Sequence, residues 1–317
     1  METFQGKKCL VLGLAKSGFA AALLLKRLGA EVVVNDQKEL EQDSGARELR
    51  AAGVEVIGGG HPPDLLDRSF DLIVKNPGIP YHNPVLEKAL KCGISVVTEP
   101  EIAGIISRAP FIAITGSNGK TTTTTLIGEM LKEGDKNPLV AGNIGTVVSD
   151  VAANAASENV IVVELSSFQL LGTETFHPRI AVFLNLVDAH LDYHGTREEY
   201  ANAKARIFAN QTVDDYAVVN AEDKDVMDLA RKTKAKLIPF SVHHRLENGA
   251  YIDKESVCFG SERIIAVEDI VLRGKHTLED VLAAVAVSKL YGVENEAIAS
   301  VLRRFRGVRH RLQFVEE

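Results

Sequence analysis

The stretch FIAITGSNGKTTTT, residues 111–124, decides the fold. Its first five residues are uncharged and mostly apolar, as in a strand buried on both faces of a parallel sheet. Gly116 and Gly119 follow, then Lys120 and a run of threonines, which reads as a strand, a glycine-rich turn and a helix start. Glycine lets the backbone approach an anion, the amides of a helix N-terminus point at it, and the helix dipole favours negative charge there. Lys120 adds a positive charge for β- and γ-phosphates, and the Thr121 hydroxyl can ligate Mg²⁺. Gly116, Ser117, Asn118, Gly119, Lys120, Thr121 and Thr122 are therefore the candidate ATP-binding set. The longer form of this loop needs glycine where the chain has Ile114, so only the shorter form, Gly116-x-x-Gly119-Lys120-Thr121, is present.

Outward from this loop, apolar runs of strand length alternate with helical patterns. Upstream, KKCLVLGL, EVVVND, VEVIG, DLIVKN and ISVVT read as strands, with helices over 17–28, 44–52 and 84–91. Downstream, a long helix starts at Lys120, and VIVVELSS, RIAVFLNL, YAVVN and KLIPF read as strands. Repeated βα units imply an α/β protein with two doubly wound, mostly parallel sheets. The pattern predicts a Rossmann-like domain over 1–105 and a central ATP-binding domain over 106–306, with the boundary inside 102–110. Residues 248–271 alternate and are punctuated by glycine, so they read as a small hairpin region. Helices over 278–291 and 294–305 complete the pattern.

The bulk numbers exclude several classes of function. The 317 residues carry a formal charge of −7, and no basic stripe suits a nucleic acid. The densest basic stretch, Arg303 to Arg311, reads as a solvated helix end. No apolar run reaches the ~20 residues of a membrane helix. Cys9, Cys92 and Cys258 are odd in number and widely spaced, which fits reduced cytoplasmic thiols rather than a disulfide framework or a zinc site.

Charged residues at strand ends extend the candidate site. Glu164 ends VIVVELSS, where a parallel sheet opens its ligand crevice, and is placed to hold Mg²⁺ with Thr121. The loop NLVDAHLDYHG, residues 185–195, offers Asp188, His190, Asp192 and His194. If the loop is extended, alternate residues face one way and can serve a hard cation or a phosphate. Lys204 stands among small residues in a helix over 198–209 and, taken alone, reads as a solvated lysine. In the first domain the turn Gly13-Leu14-Ala15-Lys16-Ser17-Gly18 is a partial dinucleotide fingerprint, with Ala15 at the middle glycine position. Asp36 falls where an acidic residue would bond a ribose hydroxyl. On the residues alone this crevice could equally hold NAD(P), or be simple turn packing.

Taken in order, AITGSNGKTT, AGNIG (141–145), VVELSSFQL (162–170), NLVDAHLDYHG, ANAKARIF and GVRHRLQ (307–313) resemble the Mur ligases, over essentially the whole chain. LGLAKSG, Asp36 and KNPGIP (75–80) look like the branch of that family that adds D-glutamate. The resemblance implies an ATP-dependent amide ligase of peptidoglycan precursor synthesis. Its substrates would be UDP-N-acetylmuramoyl-L-alanine (UDP-MurNAc-L-Ala), ATP and D-glutamate, joined through an acyl phosphate. It assigns Lys120 and Thr121 to the triphosphate and a first Mg²⁺ shared with Glu164. It assigns His190 and a carbamylated Lys204 to a second Mg²⁺, and Arg311 to the nucleotide. Asn143, Ser166 and Gln169 would touch nucleotide or substrate. The UDP group would lie over Gly13–Ser17, with Asp36 and Lys38 near the uracil and Asn76 and Gly78 on the sugar side.

Two departures limit the reading. The family often shows His-Asn-x-x-Asn at the start of the late helix, whereas here His276 is followed by Thr277 and Asp280, which puts ATP affinity or base selectivity in doubt. His276 itself could contact nucleotide or merely neighbour a helix cap. The family also has a third Rossmann-like domain, which would begin after residue 306, so 307–317 read as the start of a linker to it. On that reading the chain is a cytoplasmic monomer that binds UDP-sugar, binds ATP weakly and ligates poorly or not at all. The alternatives are a non-catalytic UDP-sugar or nucleotide-binding fragment, and a folylpolyglutamate-type ligase. The ~110 residues before the phosphate loop argue against the latter.

Overall fold

The computed structural model describes residues 3–142, 145–272 and 274–308, apart from the side chains of Lys275 and His276. The chain forms two compact units. Unit 1 is Met1–Ser107 with Val147–Asn154 and Phe168–Phe176, and unit 2 is Arg108–Thr146, Ala155–Ser167 and His177–Glu317.

Unit 1 runs β1 (Lys8–Leu12), α1 (Lys16–Arg27), β2 (Glu31–Asn35), α2 (Ser44–Ala51), β3 (Glu55–Ile57), β4 (Leu72–Lys75), α3 (Pro84–Lys91), β5 (Ser95–Val97) and α4 (Glu99–Ile106). The strands pair in parallel in the order β3-β2-β1-β4-β5. The strand side chains alternate between two cores. Cys9 and Val11 join one with α1, while Leu10 and Leu12 join the other with α3. Local signals set the helix starts: Asp43 accepts from the Ala46 amide, and Asn83 accepts from Val85 ahead of Pro84. The chain order reverses between β1 and β4, which opens a crevice beyond their carboxyl ends.

The expected domain boundary, 102–110, begins inside helix α4, whose acidic first turn is buried. Glu101 accepts from the backbone amides of Glu174, Thr175 and Phe176 at 2.8–3.0 Å, and from the Thr175 hydroxyl. The Thr98 hydroxyl donates to Gln169 O, and Glu99 accepts from the Ser149 amide. Burial pushes the Glu99 carboxyl up to about 7. These groups hold two later segments of chain onto unit 1.

Unit 2 opens with β6 (Phe111–Thr115), α5 (Lys120–Glu133) and β7 (Pro138–Gly142), and the chain then leaves for α6 (Val148–Asn154) in unit 1. It continues with β8 (Val160–Glu164), then α7 (Ser167–Leu170), whose last three residues belong to unit 1, and in unit 2 again with β9 (Ile180–Phe183), α8 (Leu191–His194), α9 (Arg197–Ala205), β10 (Tyr216–Asn220), α10 (Lys224–Ala230) and β11 (Lys236–Ser241). Strands β12 (Ala250–Asp253), β13 (Ser256–Phe259) and β14 (Glu262–Ala266) precede α11 (Lys275–Leu290) and α12 (Asn295–Arg304). The nine-stranded sheet has the order β14-β13-β12-β11-β10-β9-β6-β8-β7. It is parallel from β7 to β12 and turns antiparallel at β13 and β14. The expected hairpin region is thus a meander that extends the main sheet. Strand β7, which follows α5 at the sheet edge, carries no long apolar run and was not expected.

Glu101→Ala would leave the amides of residues 174–176 without their acceptor. The expected cost is about 3 kcal/mol, the upper range for hydrogen bonds to a charged group. It would be read as a lower urea midpoint, and an unchanged midpoint would contradict the clamp.

Candidate functional site

The phosphate loop lies between β6 and α5 at the carboxyl end of the sheet. Gly116 (φ +156°) and Gly119 (φ +81°) both need backbone conformations that side chains resist. A side chain at 119 would also strike Asp280 Oδ1. The loop is pinned to the chain after β9: the Ser117 amide donates to Asn185 O, the Asn118 amide to Asn185 Oδ1, and the Ser117 hydroxyl to Val187 O.

Two lysines meet at one carbonyl. Lys120 Nζ donates to Gly116 O at 2.8 Å and to Ser117 O at 3.0 Å, and Lys204 Nζ donates to the same Gly116 O at 2.8 Å. Lys204 is 2% exposed. Burial, helped by the charge on Lys120, brings its amine down to about 7. The solvated lysine that the sequence suggested in isolation is therefore a buried one. Its ammonium lies 4.8 Å from the centre of the Tyr200 ring, one helical turn earlier on α9. The Tyr200 hydroxyl is 3.0 Å from Ser117 Oγ, and its ring neighbours both His190 and His194. Tyr200 was not singled out in the sequence, although its i, i+4 spacing to Lys204 is a readable signal.

Glu164 ends β8 as expected, and Thr121 Oγ1 donates to its Oε2 at 2.7 Å. The other oxygen, Oε1, is buried with no hydrogen-bond partner among the described residues. A buried carboxylate oxygen beside a loop threonine suits a hard cation. No cluster of three or more His, Cys, Asp or Glu side chains gathers among the described residues, so a metal here would rely on mixed donors such as Thr121 and Glu164.

The loop 185–195 differs from its expected extended form, because Leu191–His194 is a helical turn. Alternate residues therefore do not face one way. Asp188 bonds Arg197 at 2.6 Å, and His194 is buried with Nε2 2.9 Å from Ser167 Oγ. Burial, then the charges of His190 and Lys204, lowers His194. His190 takes a left-handed backbone (φ +56°), unusual for a non-glycine residue and characteristic of constrained sites.

A cavity of about 770 Å³ opens beside the loop, lined by Asn118, Gly119, Thr121 and Thr122, by Asn220 and Glu222–Lys224 after β10, and by Thr277 and Asp280 of α11. Thr277 donates its hydroxyl to Gly274 O. The residues after β10 were not foreseen. Asn143 and Arg311 lie outside the described residues. Gln169 belongs to unit 1 and Ser166 to unit 2.

In unit 1 the expected UDP-binding residues gather at the carboxyl ends of β1, β2 and β4. Asp36 accepts from the amides of Leu14 at 2.6 Å and Lys38 at 2.9 Å, so its carboxylate first serves to tie the two turns together. Asn76 Nδ2 donates to Ser17 Oγ at 3.2 Å, and Asn76 Oδ1 accepts from the Gly78 amide. Ala15 caps α1 in an extended conformation (φ −102°), where a methyl group is tolerated, which explains the incomplete fingerprint. Gly18 packs so close to the Gly13 carbonyl that a side chain there would collide.

Residues 7–98 match the MurD-like N-terminal domain of Mur ligases, and residues 114–288 match the Mur ligase middle domain. The UDP-N-acetylmuramoylalanine–D-glutamate ligase of Geobacillus sp. is 60% identical over 98% of this chain and 69% of its own length. That of Bacillus cytotoxicus is 58% identical over the same shares. Among solved structures, UDP-N-acetylmuramate:L-alanyl-γ-D-glutamyl-meso-diaminopimelate ligase from Neisseria meningitides aligns with a TM-score of 0.64 at 18% identity, covering 96% of this chain and 100% of that one. UDP-N-acetylmuramate–alanine ligase from Thermotoga maritima gives 0.56 at 22% identity, covering 97% and 70%. The chain spans about 69% of the length of these curated relatives, and it belongs to the Mur ligase family, on the branch of the UDP-N-acetylmuramoylalanine–D-glutamate ligases.

Proposed function

We propose that the chain carries the ATP-dependent activation of the UDP-N-acetylmuramoyl-L-alanine carboxylate, ahead of its ligation to D-glutamate. The carboxylate oxygen attacks the γ-phosphorus of ATP, the bond to ADP breaks, and an acyl phosphate forms. The amine of D-glutamate then attacks the carbonyl, phosphate leaves from the tetrahedral intermediate, and the amine loses a proton. The observation that carries this reading is Glu164, with one oxygen bonded to the phosphate-loop Thr121 and the other buried with no hydrogen-bond partner among the described residues.

Each residue has a part set by its surroundings. The amides of residues 116–122 receive the phosphates, and Lys120, whose ammonium donates to two loop carbonyls, supplies positive charge beside them. Thr121 and Glu164 are the holders of a first Mg²⁺, and His190 with Lys204 of a second. When bound, Mg²⁺ neutralises charge building up on the phosphate oxygens. An ammonium at Lys204 would repel such a cation. A neutral amine can instead add CO₂ and lose a proton to give an anionic carbamate, and an amine brought down to about 7 supplies that neutral form at neutral pH. In unit 1 the turn at Gly13–Ser17, with Asp36, Lys38, Asn76 and Gly78, is the seat of the UDP group. Tight NADPH binding with no affinity for UDP-MurNAc-L-Ala would overturn that assignment.

Two outcomes are expected. Lys120→Ala lowers single-turnover phosphate release by at least ~10²-fold, the scale of losing one preorganised charge-stabilising donor. A near-normal rate would defeat the assignment. With ¹³C-bicarbonate, a carbamate NMR signal grows from pH 6 to 8 as the Lys204 ammonium loses its proton, and it is absent from Lys204→Arg. A signal that persists in the arginine variant would assign the carbamate elsewhere.

A further inference from the structure

Asp280 has no part in the chemistry above, yet its carboxyl lines the cavity beside the phosphate loop. It is 6% exposed. Its Oδ1 occupies the space that a side chain at Gly119 would fill, so it lies directly against the glycine that heads the phosphate helix. The same oxygen accepts from Thr123 Oγ1, in the first turn of that helix, at 3.2 Å. Among the described residues the charged groups around it are few. On the loop, Lys120 is turned to the carbonyls of Gly116 and Ser117. On its own helix stands Glu279, and across the cavity stand Glu222, Asp223 and Lys224. Among the described residues no cation is paired with Asp280. Burial raises its carboxyl to about 7, against the Thr123 hydrogen bond and with some help from Glu279.

A phosphate loop is built to receive negative charge, and an ionised carboxylate packed on its glycine opposes that. We propose that Asp280 is a proton-linked residue of the nucleotide site, neutral when a polyphosphate lies on the loop and repelling it when ionised. The inference rests on the phosphate-loop reading above. The proton comes from solvent as the nucleotide enters and returns to solvent as it leaves. Polyphosphate affinity therefore falls as pH rises through the range where the free carboxyl ionises. The loss grows with ligand charge, so a triphosphate suffers more than a diphosphate. A neutral carboxylic acid also presents one donor and one acceptor, as an asparagine amide does, which makes Asp280→Asn the natural non-titrating variant.

The test is calorimetric titration of Mg-ATP into the full chain from pH 6.5 to 8.5, for the wild type, Asp280→Asn and Asp280→Ser. Lys204 titrates in the same range, so the readout is the difference between wild type and variants. Wild-type Kd is expected to weaken by about tenfold per pH unit above pH 7 relative to either variant. Equal slopes would overturn the inference and leave the phosphate-loop reading intact. Absence of binding by the wild type at every pH would overturn both. Infrared difference spectra of the wild type at pH 8 need no variant. Adding Mg-ATP should bring up a protonated-carboxyl C=O band, and a spectrum without that gain contradicts the proposal.

Discussion

The site depends on one backbone oxygen, the carbonyl of Gly116. It accepts from Lys120 at the start of the phosphate helix and from Lys204, which arrives on a helix some ninety positions later. Only a residue free to take φ +156° presents the carbonyl this way. The carbonyl gives Lys204 a partner without giving it a counter-charge, so burial can act on the amine and hold it near neutrality. Tyr200 completes the arrangement by packing its ring under the Lys204 amine and bonding its hydroxyl to Ser117, which couples α9 to the loop. The two lysines also repel each other.

Around this point the parallel sheet does most of the placing. β6 delivers the phosphate loop, β8 delivers Glu164 and β9 delivers Asn185, all at one edge of adjacent strands. Unit 1 repeats the device, with β1, β2 and β4 each ending in a turn that bonds its neighbour through Asp36 or Asn76. The chain also crosses between units more than once, because α6 and residues 168–176 pack in unit 1 while the strands beside them belong to unit 2. The buried carboxylates of Glu99 and Glu101 hold those two segments within unit 1.

Where chemistry and local pattern coincide, the sequence was legible. The glycine turns, the acidic strand end at Glu164 and the βα alternation each follow from short-range rules, and the structure has them. What escaped the sequence was long-range. Glu99 and Glu101 look like solvated charges at a boundary because their partners lie fifty or more residues away. β7 was invisible because an edge strand needs no apolar run. The 185–195 loop was misread as extended, since its histidines and aspartates suggested alternation while the backbone closes into a turn after a strained His190. Asp280 could be recognised only as a departure from a family pattern. Its packing on Gly119 is a property of the fold.

The most direct test of the central claim follows one oxygen atom. If the substrate carboxylate is activated as an acyl phosphate, ¹⁸O placed in the carboxyl group of UDP-N-acetylmuramoyl-L-alanine passes to inorganic phosphate as the intermediate is consumed. Phosphorus NMR of the released phosphate should show one labelled oxygen, in an amount matching the ADP formed. Phosphate released with ADP but without label would mean that water, and not the carboxylate, attacks the nucleotide, and would contradict the account.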